Sequence, residues 1–150
     1  MRVAIALGSN LGDRRGHLTW AFDRLADLLS HVRVSSILET EAAGVPDDQP
    51  PYVNAAAVGE TTLGPHQLLD ALLDLERTRG RVRTGWRSAR TLDLDLILYG
   101  DAILDEPGLR VPHPRFRERA FVLGPLAEIV PDWVDPETRL SIQELATAQP

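Results

Sequence analysis

The chain has 150 residues, 22 acidic against 16 basic for a net charge of −6, 43% hydrophobic residues and no cysteine. That is enough chain for a core of its own, and it excludes a disulfide framework, a thiolate nucleophile and a Cys-ligated zinc. A pI near 5.1 lacks the positive footprint of bulk nucleic-acid binding, and the apolar runs are too short for a signal peptide or a membrane span. We therefore expect one cytoplasmic domain over residues 1–150.

Val3 to Leu7 reads as a buried strand ending in the turn Gly8-Ser9-Asn10-Leu11-Gly12-Asp13, with Asp13 able to cap a following helix. Leu18, Ala21, Phe22, Leu25, Leu28 and Leu29 recur at helical spacing, and His31 to Leu38 alternates as a second strand. Thr40 to Pro51, rich in Gly, Pro and Asp, is a loop, and Tyr52 to Thr61 is a third strand. Gly64-Pro65 opens a second helix with Leu68, Leu69, Leu72, Leu73 and Leu75 as its apolar positions and Gly80 as its stop.

The fourth strand is the most informative. In Thr91-Leu92-Asp93-Leu94-Asp95-Leu96-Ile97-Leu98-Tyr99 strict alternation predicts Leu92, Leu94, Leu96 and Leu98 on a helix-covered face and Asp93 and Asp95 on the other. Two positions along a strand is roughly 6.5 Å, close enough for each carboxylate to raise the other's pKa unless a cation sits between them. Hard oxygen ligands in that arrangement suit Mg²⁺, which completes its octahedron with water and substrate phosphates. The plainer alternative is that both Asp keep the wet face of a strand soluble, although Asp is depleted in strands.

Just upstream, Arg77, Arg79, Arg81, Arg83, Arg87 and Arg90 hold six of the sixteen basic residues, and the chain has no lysine. Each is a planar fork able to grip phosphate with two bonds, and such a density of like charge calls for an anion. Arg77 and Arg79 are explained as cations favouring the end of the preceding helix; Arg81, Arg83 and Arg90 are not. Strand, helix, strand, strand, helix, strand is the split βαβ order. The expected fold class is α+β, a ferredoxin-like βαββαβ core with an antiparallel sheet, helices on one face and additional C-terminal helices and loops. The prolines from Pro112 onward suit short elements covering part of the other face.

Ala6-Leu7-Gly8-Ser9-Asn10-Leu11-Gly12-Asp13, Asp48-Gln49-Pro50-Pro51-Tyr52-Val53-Asn54-Ala55, Gly80-Arg81-Val82-Arg83, Arg90-Thr91-Leu92-Asp93-Leu94-Asp95, and Val111-Pro112-His113-Pro114-Arg115 with Arg119-Ala120-Phe121-Val122-Leu123 together resemble the 6-hydroxymethyl-7,8-dihydropterin pyrophosphokinase family. The resemblance runs from residue 1 to about 131. Five motifs in one order are far more specific than a lone Asp-x-Asp. It implies a ferredoxin-like fold and transfer of the β,γ-pyrophosphate of ATP to the pterin hydroxymethyl oxygen with release of AMP, in folate biosynthesis. It also implies two Mg²⁺ held by Asp93 and Asp95, Arg81 and Arg90 on the phosphates as catalytic groups, and Glu76, Arg83, His113 and Arg119 on ATP. Adenine is expected near Leu69, Ile97, Leu109 and Val111. The implied pterin contacts are Asn54, the backbone around Thr40, Ala43 and Gly44, Phe121 stacked on the ring, Tyr52 nearby, and Trp86. The partners are small molecules, with no nucleic acid and no membrane, and the expected state is a monomer.

The chain departs from the family where relatives carry Arg-Trp-Gly-Pro. Here Gly85-Trp86-Arg87-Ser88-Ala89 precedes Arg90, so Trp86 stands one place further away and the Gly-Pro turn is lost. Leu73, at a position often polar in the family, is expected in the core, and Glu76 either orients Arg81 or ends its helix. Gly8 to Gly12 is not a P-loop, because the lysine is missing. A polymerase-like palm or cyclase also sets an Asp-x-Asp pair on such a sheet but releases pyrophosphate. An RNA-recognition or ligand-binding module would need exposed aromatics on the central strands and a basic face.

Overall fold

A computed structural model describes residues 1–40, 51–80 and 91–149. The main sheet is antiparallel, in the order β2 (Ser30–Val34), β4 (Tyr52–Glu60), β1 (Arg2–Ser9), β5 (Asp93–Tyr99), with β3 (Leu38–Thr40) continuing along β4 beyond β2. Helices α1 (Arg14–Leu28) and α2 (Pro65–Thr78) follow β1 and β4, which is the ferredoxin-like order expected. Asp13 caps α1 by accepting the Gly16 N–H at 3.1 Å. At the start of α2 the Gly64 N–H donates to the Gln67 side chain at 2.8 Å and Pro65 occupies the first turn. Gly80, at φ +94, turns the chain away after α2 in a conformation that costs glycine nothing.

Both helices pack on one face of the sheet. Val3, Ile5, Leu7, Val53, Ala55, Ala57, Leu92, Leu94 and Leu96 meet Leu18, Ala21, Leu25, Leu68 and Leu72 there, and burying each large aliphatic side chain contributes about 1.5–3 kcal/mol. The other face carries small residues, Ala4, Ala6 and Ala56 with Val58, and these accept Val122, Leu123 and Leu126 of α3 (Ala120–Ile129) and Ile142 and Leu145 of α4 (Ile142–Thr147). Beyond the core, β6 (Leu104–Glu106) and β7 (Leu109–Val111) form a separate hairpin, and a 3-10 turn (Phe116–Glu118) leads into α3. Among the described residues no helix is long and apolar enough to cross a membrane.

Three expectations need correcting. β1 runs on through Gly8 and Ser9, so those residues belong to the sheet and the turn begins later. The strand expected over His31 to Leu38 is broken, because Ser35 takes the place of a ladder residue: its N–H donates to the Ala56 carbonyl at 2.9 Å and its Oγ accepts the Ala56 N–H at 2.8 Å, a side-chain bond that competes with regular pairing. Leu98 was expected on the helix face. The β1–β5 register instead shifts between Ala4, opposite Leu98, and Ile5, opposite Leu96. Ile97 is the extra residue of this bulge, Leu98 joins it in the second layer, and Tyr99 returns to the helix side.

Candidate active site

Antiparallel pairing puts partners side by side on one face. Gly8 of the central strand β1 pairs with Asn54 on one side and Asp93 on the other, and Ala6 likewise pairs with Ala56 and Asp95. Asn54 and Asp93 are thus two strand spacings apart, roughly 9.5 Å, with only a glycine between them. A Cβ on Gly8 would lie 3.3 Å from Asn54 Oδ1 and 3.8 Å from Tyr52 Cδ1, so the missing side chain keeps the floor of the site low. Asp93 and Asp95 are half-buried, and Asn54 is buried with its amide at that floor.

Two clefts meet there. One, about 290 Å³, is walled by Tyr52, Asn54, Phe121 and Val122 over Ala6 and Gly8, an aromatic and amide lining suited to a flat heterocycle that both donates and accepts hydrogen bonds. Phe121 is 40% exposed, so its ring faces the cleft instead of the core. The other, about 690 Å³, runs between α2 and the β6–β7 hairpin past Leu69, Leu73, Glu76, Leu109, Arg110 and His113. Asp93, Asp95 and Arg119 line both. Arg119, at the N-terminal cap of α3, has its guanidinium 5.7 Å from the Phe121 ring centre, which holds a permanent positive charge at the junction.

His113 is half-buried in the second cleft. Its backbone N–H donates to the Ile97 carbonyl at 2.9 Å, and its Nδ1 accepts the Arg115 N–H at 3.2 Å, which leaves the proton of the neutral ring on Nε2. Burial first, then the charges of Arg119 and Arg115, pull its pKa below the ordinary histidine value, against a smaller pull from Asp93. Glu76 is buried and accepts the Leu94 N–H through Oε2 at 2.7 Å. It therefore grips the outer edge of β5 at the residue between the two aspartates.

Most of the residues picked from the sequence gather here: Leu69, Glu76, Asp93, Asp95, Leu109, His113 and Arg119 around the larger cleft, Tyr52, Asn54 and Phe121 around the smaller. Ile97 and Val111 do not line either cleft; each is 1% exposed in the core. Leu73, expected in the core, is half-buried on the groove wall. Thr40 pairs with Tyr52 at the end of β3. Ala43, Gly44, Arg81, Arg83, Trp86 and Arg90 lie outside the described residues. The hairpin wall of Asp105, Glu106, Gly108 and Arg110 was missed, although Pro107-Gly108 between two short β-prone runs is a turn signal.

Asp93 and Asp95 are the carboxylates at the junction that could hold a cation. Among the described residues no group of three or more His, Asp or Glu is placed to hold a metal. The described residues thus build no closed all-protein cage, whereas two carboxylates opening onto a phosphate-sized groove match what Mg²⁺ asks for. The residues fit the ion.

The profile of the family described as 7,8-dihydro-6-hydroxymethylpterin-pyrophosphokinase (HPPK) matches residues 4–131. The chain belongs to this family. It is 44% identical over 151 residues to the 2-amino-4-hydroxy-6-hydroxymethyldihydropteridine pyrophosphokinase of Pseudomonas aeruginosa, covering 99% of this chain and 92% of that one. The enzyme of the same name from Bacillus subtilis is 42% identical over 127 residues, or 83% and 75% of the two chains. Among solved structures, a Plasmodium falciparum HPPK-DHPS crystallised with pterin and p-hydrobenzoate superposes with a TM-score of 0.73 at 14% identity. That likeness covers 97% of this chain but 44% of the longer one, and it speaks for the fold.

Proposed function

We propose that this chain transfers pyrophosphate from ATP to 6-hydroxymethyl-7,8-dihydropterin, releasing AMP, as a step of folate biosynthesis. The observation that carries this reading is the junction of the two clefts at Asp93, Asp95 and Arg119. An enzyme that joins a flat heterocyclic alcohol to a polyphosphate needs two binding compartments whose reacting ends converge on charge-neutralising groups, since phosphoryl-type transfer depends on positioning and electrostatics more than on covalent help.

Asn54 reads the hydrogen-bonding edge of the pterin, Phe121 stacks on the ring with Tyr52 beside it, and the backbone near Thr40, Ala43 and Gly44 adds polar contacts, with Trp86 against the ring. ATP lies in the larger groove, adenine against Leu69 and Leu109 and the phosphates toward His113 and Arg119. Arg81 and Arg90 grip the group in transfer, and Arg83 supports them. Glu76 holds Leu94, and so the two neighbouring aspartates, in place. Asp93 and Asp95 would hold Mg²⁺, two ions on the reading from the sequence. Bound there, the metal neutralises phosphate charge and favours ionisation of the attacking hydroxyl. The enzyme so described works in the cytoplasm as a monomer, on two soluble small molecules.

Incubation with ATP, Mg²⁺ and the hydroxymethyl dihydropterin tests this. One AMP is expected per pterin diphosphate formed. Release of pyrophosphate instead would identify a nucleotidyl transferase of the palm or cyclase type, and no turnover would leave a binding module.

A further inference from the structure

The first turn of α1, outside both clefts, collects polar contacts from three separate parts of the chain. Arg14 Nη1 donates to the Pro51 carbonyl at 2.5 Å and stands 3.5 Å from Glu39 Oε1. Three positions on, His17 Nδ1 accepts the Arg79 Nε–H at 2.9 Å. The Arg79 guanidinium lies 5.1 Å from the ring centre of Trp20, also on α1. Arg79 caps the C-terminus of α2 immediately before Gly80, as the second arginine of the arginine-rich stretch.

We propose that His17 is a positioning residue for the reaction proposed above, fixing through Arg79 the exit of the chain from α2 and tying that exit to the first turn of α1. A donor from a permanently charged guanidinium requires an unprotonated Nδ1, so the contact exists only with the neutral ring. The groups facing His17 suit that form. Burial and then the charge of Arg79 lower its pKa, while the Asp13 carboxylate and the backbone of Leu11 pull the other way. A contact that served only to join α1 to α2 would affect stability and leave the rate constants alone.

The proposal rests on pyrophosphate transfer from ATP, so steady-state AMP release is measured for wild type, His17→Ala, Arg79→Ala, the double variant and His17→Gln. His17→Ala should lower kcat roughly tenfold, as expected for an ångström-scale misplacement, with KM for the pterin unchanged. Arg79→Ala should match it, and the double variant should be no worse than either. His17→Gln keeps an acceptor and a donor but does not titrate, so it should restore most of kcat and lose part of the acid limb of its pH profile. In an NMR titration the His17 pKa should rise toward the ordinary value in Arg79→Ala. An active wild type beside a His17→Ala kcat within twofold of it, additive losses, an unaltered acid limb in His17→Gln, or an unmoved His17 pKa would each overturn the positioning role alone. A wild type that releases no AMP would overturn the reaction and the role together.

Discussion

Gly8 and Asn54 face each other across the β1–β4 ladder, close enough that a methyl on Gly8 would come within 3.3 Å of Asn54 Oδ1. That distance is a tight contact for a buried amide whose position cannot shift freely. Gly8→Ala is expected to raise KM for the pterin roughly tenfold, about 1.4 kcal/mol, and to leave KM for ATP unchanged. The melting temperature should fall slightly, since the strain of the tight contact outweighs the lower entropy of the unfolded alanine chain. Steady-state kinetics with each substrate varied in turn check this; an unchanged pterin KM would mean that Asn54 does not read the ring.

Asp95→Ala should reduce turnover by at least about 10³-fold, because it removes one of the two carboxylates available to the cation at the point of transfer. Circular dichroism should be that of the wild type, since the side chain opens onto the clefts and not into either core. Residual activity within about tenfold of wild type would remove Asp95 from the metal site.

Burial, and then the charges of Arg119 and Arg115, hold the His113 pKa below the ordinary histidine value. A triphosphate arriving beside it reverses the balance, so its pKa should climb and a proton should be taken up. Calorimetric titration of ATP in buffers of different ionisation enthalpy should show greater proton uptake by the wild type than by His113→Ala. Equal uptake would place His113 away from the phosphates.

Asp135 is fully buried; it accepts from Arg117 Nε and, at 2.9 Å, from Nη2, and also from the Thr138 hydroxyl and the Glu137 N–H. Burial alone would raise its pKa, but these partners outweigh it and hold the carboxyl below its ordinary value. A depressed folded-state pKa contributes stability above the unfolded value, about 3.9, and that contribution is lost as the pH falls through the lower folded value. Asp135→Asn should cost about 2 kcal/mol by removing the charge-assisted bonds to Arg117, which keeps Glu137 at 3.4 Å as its other carboxylate partner, lowering the melting temperature by roughly 4–8 °C at neutral pH. The gap from wild type should narrow in acid.

The parts of this fold that were legible in the sequence are those whose signal is local. The Leu and Asp alternation from Leu92 to Leu96, the Asp13 cap and the Gly64-Pro65 helix start all rest on neighbours a few residues apart. What escaped depends on distant partners. Nothing around Ile97 announces a bulge, because the shift arises in pairing with Ala4 and Ile5, and Ser35 breaks its strand only because Ala56 lies across from it. The same holds for the site. Asp93, Asp95, Asn54 and Phe121 were found as members of motifs, whereas Leu73 and Arg110 become groove walls only when α2 and the β6–β7 hairpin stand on either side of β5.

The row Asn54, Gly8, Asp93 also has a consequence for selectivity. Its two ends are joined by ladder hydrogen bonds across a central strand, a lattice that does not stretch the way a loop or a domain hinge does. If Asn54 anchors the ring and Asp93 the phosphate end, the sheet acts as a gauge for the acceptor's side arm. A pterin whose alcohol stands one methylene too far out would bind with its ring properly seated and its oxygen displaced by about 1 Å, an error worth roughly 10²-fold in rate. Discrimination by arm length should therefore show up in kcat, with little change in how tightly the wrong alcohol is held.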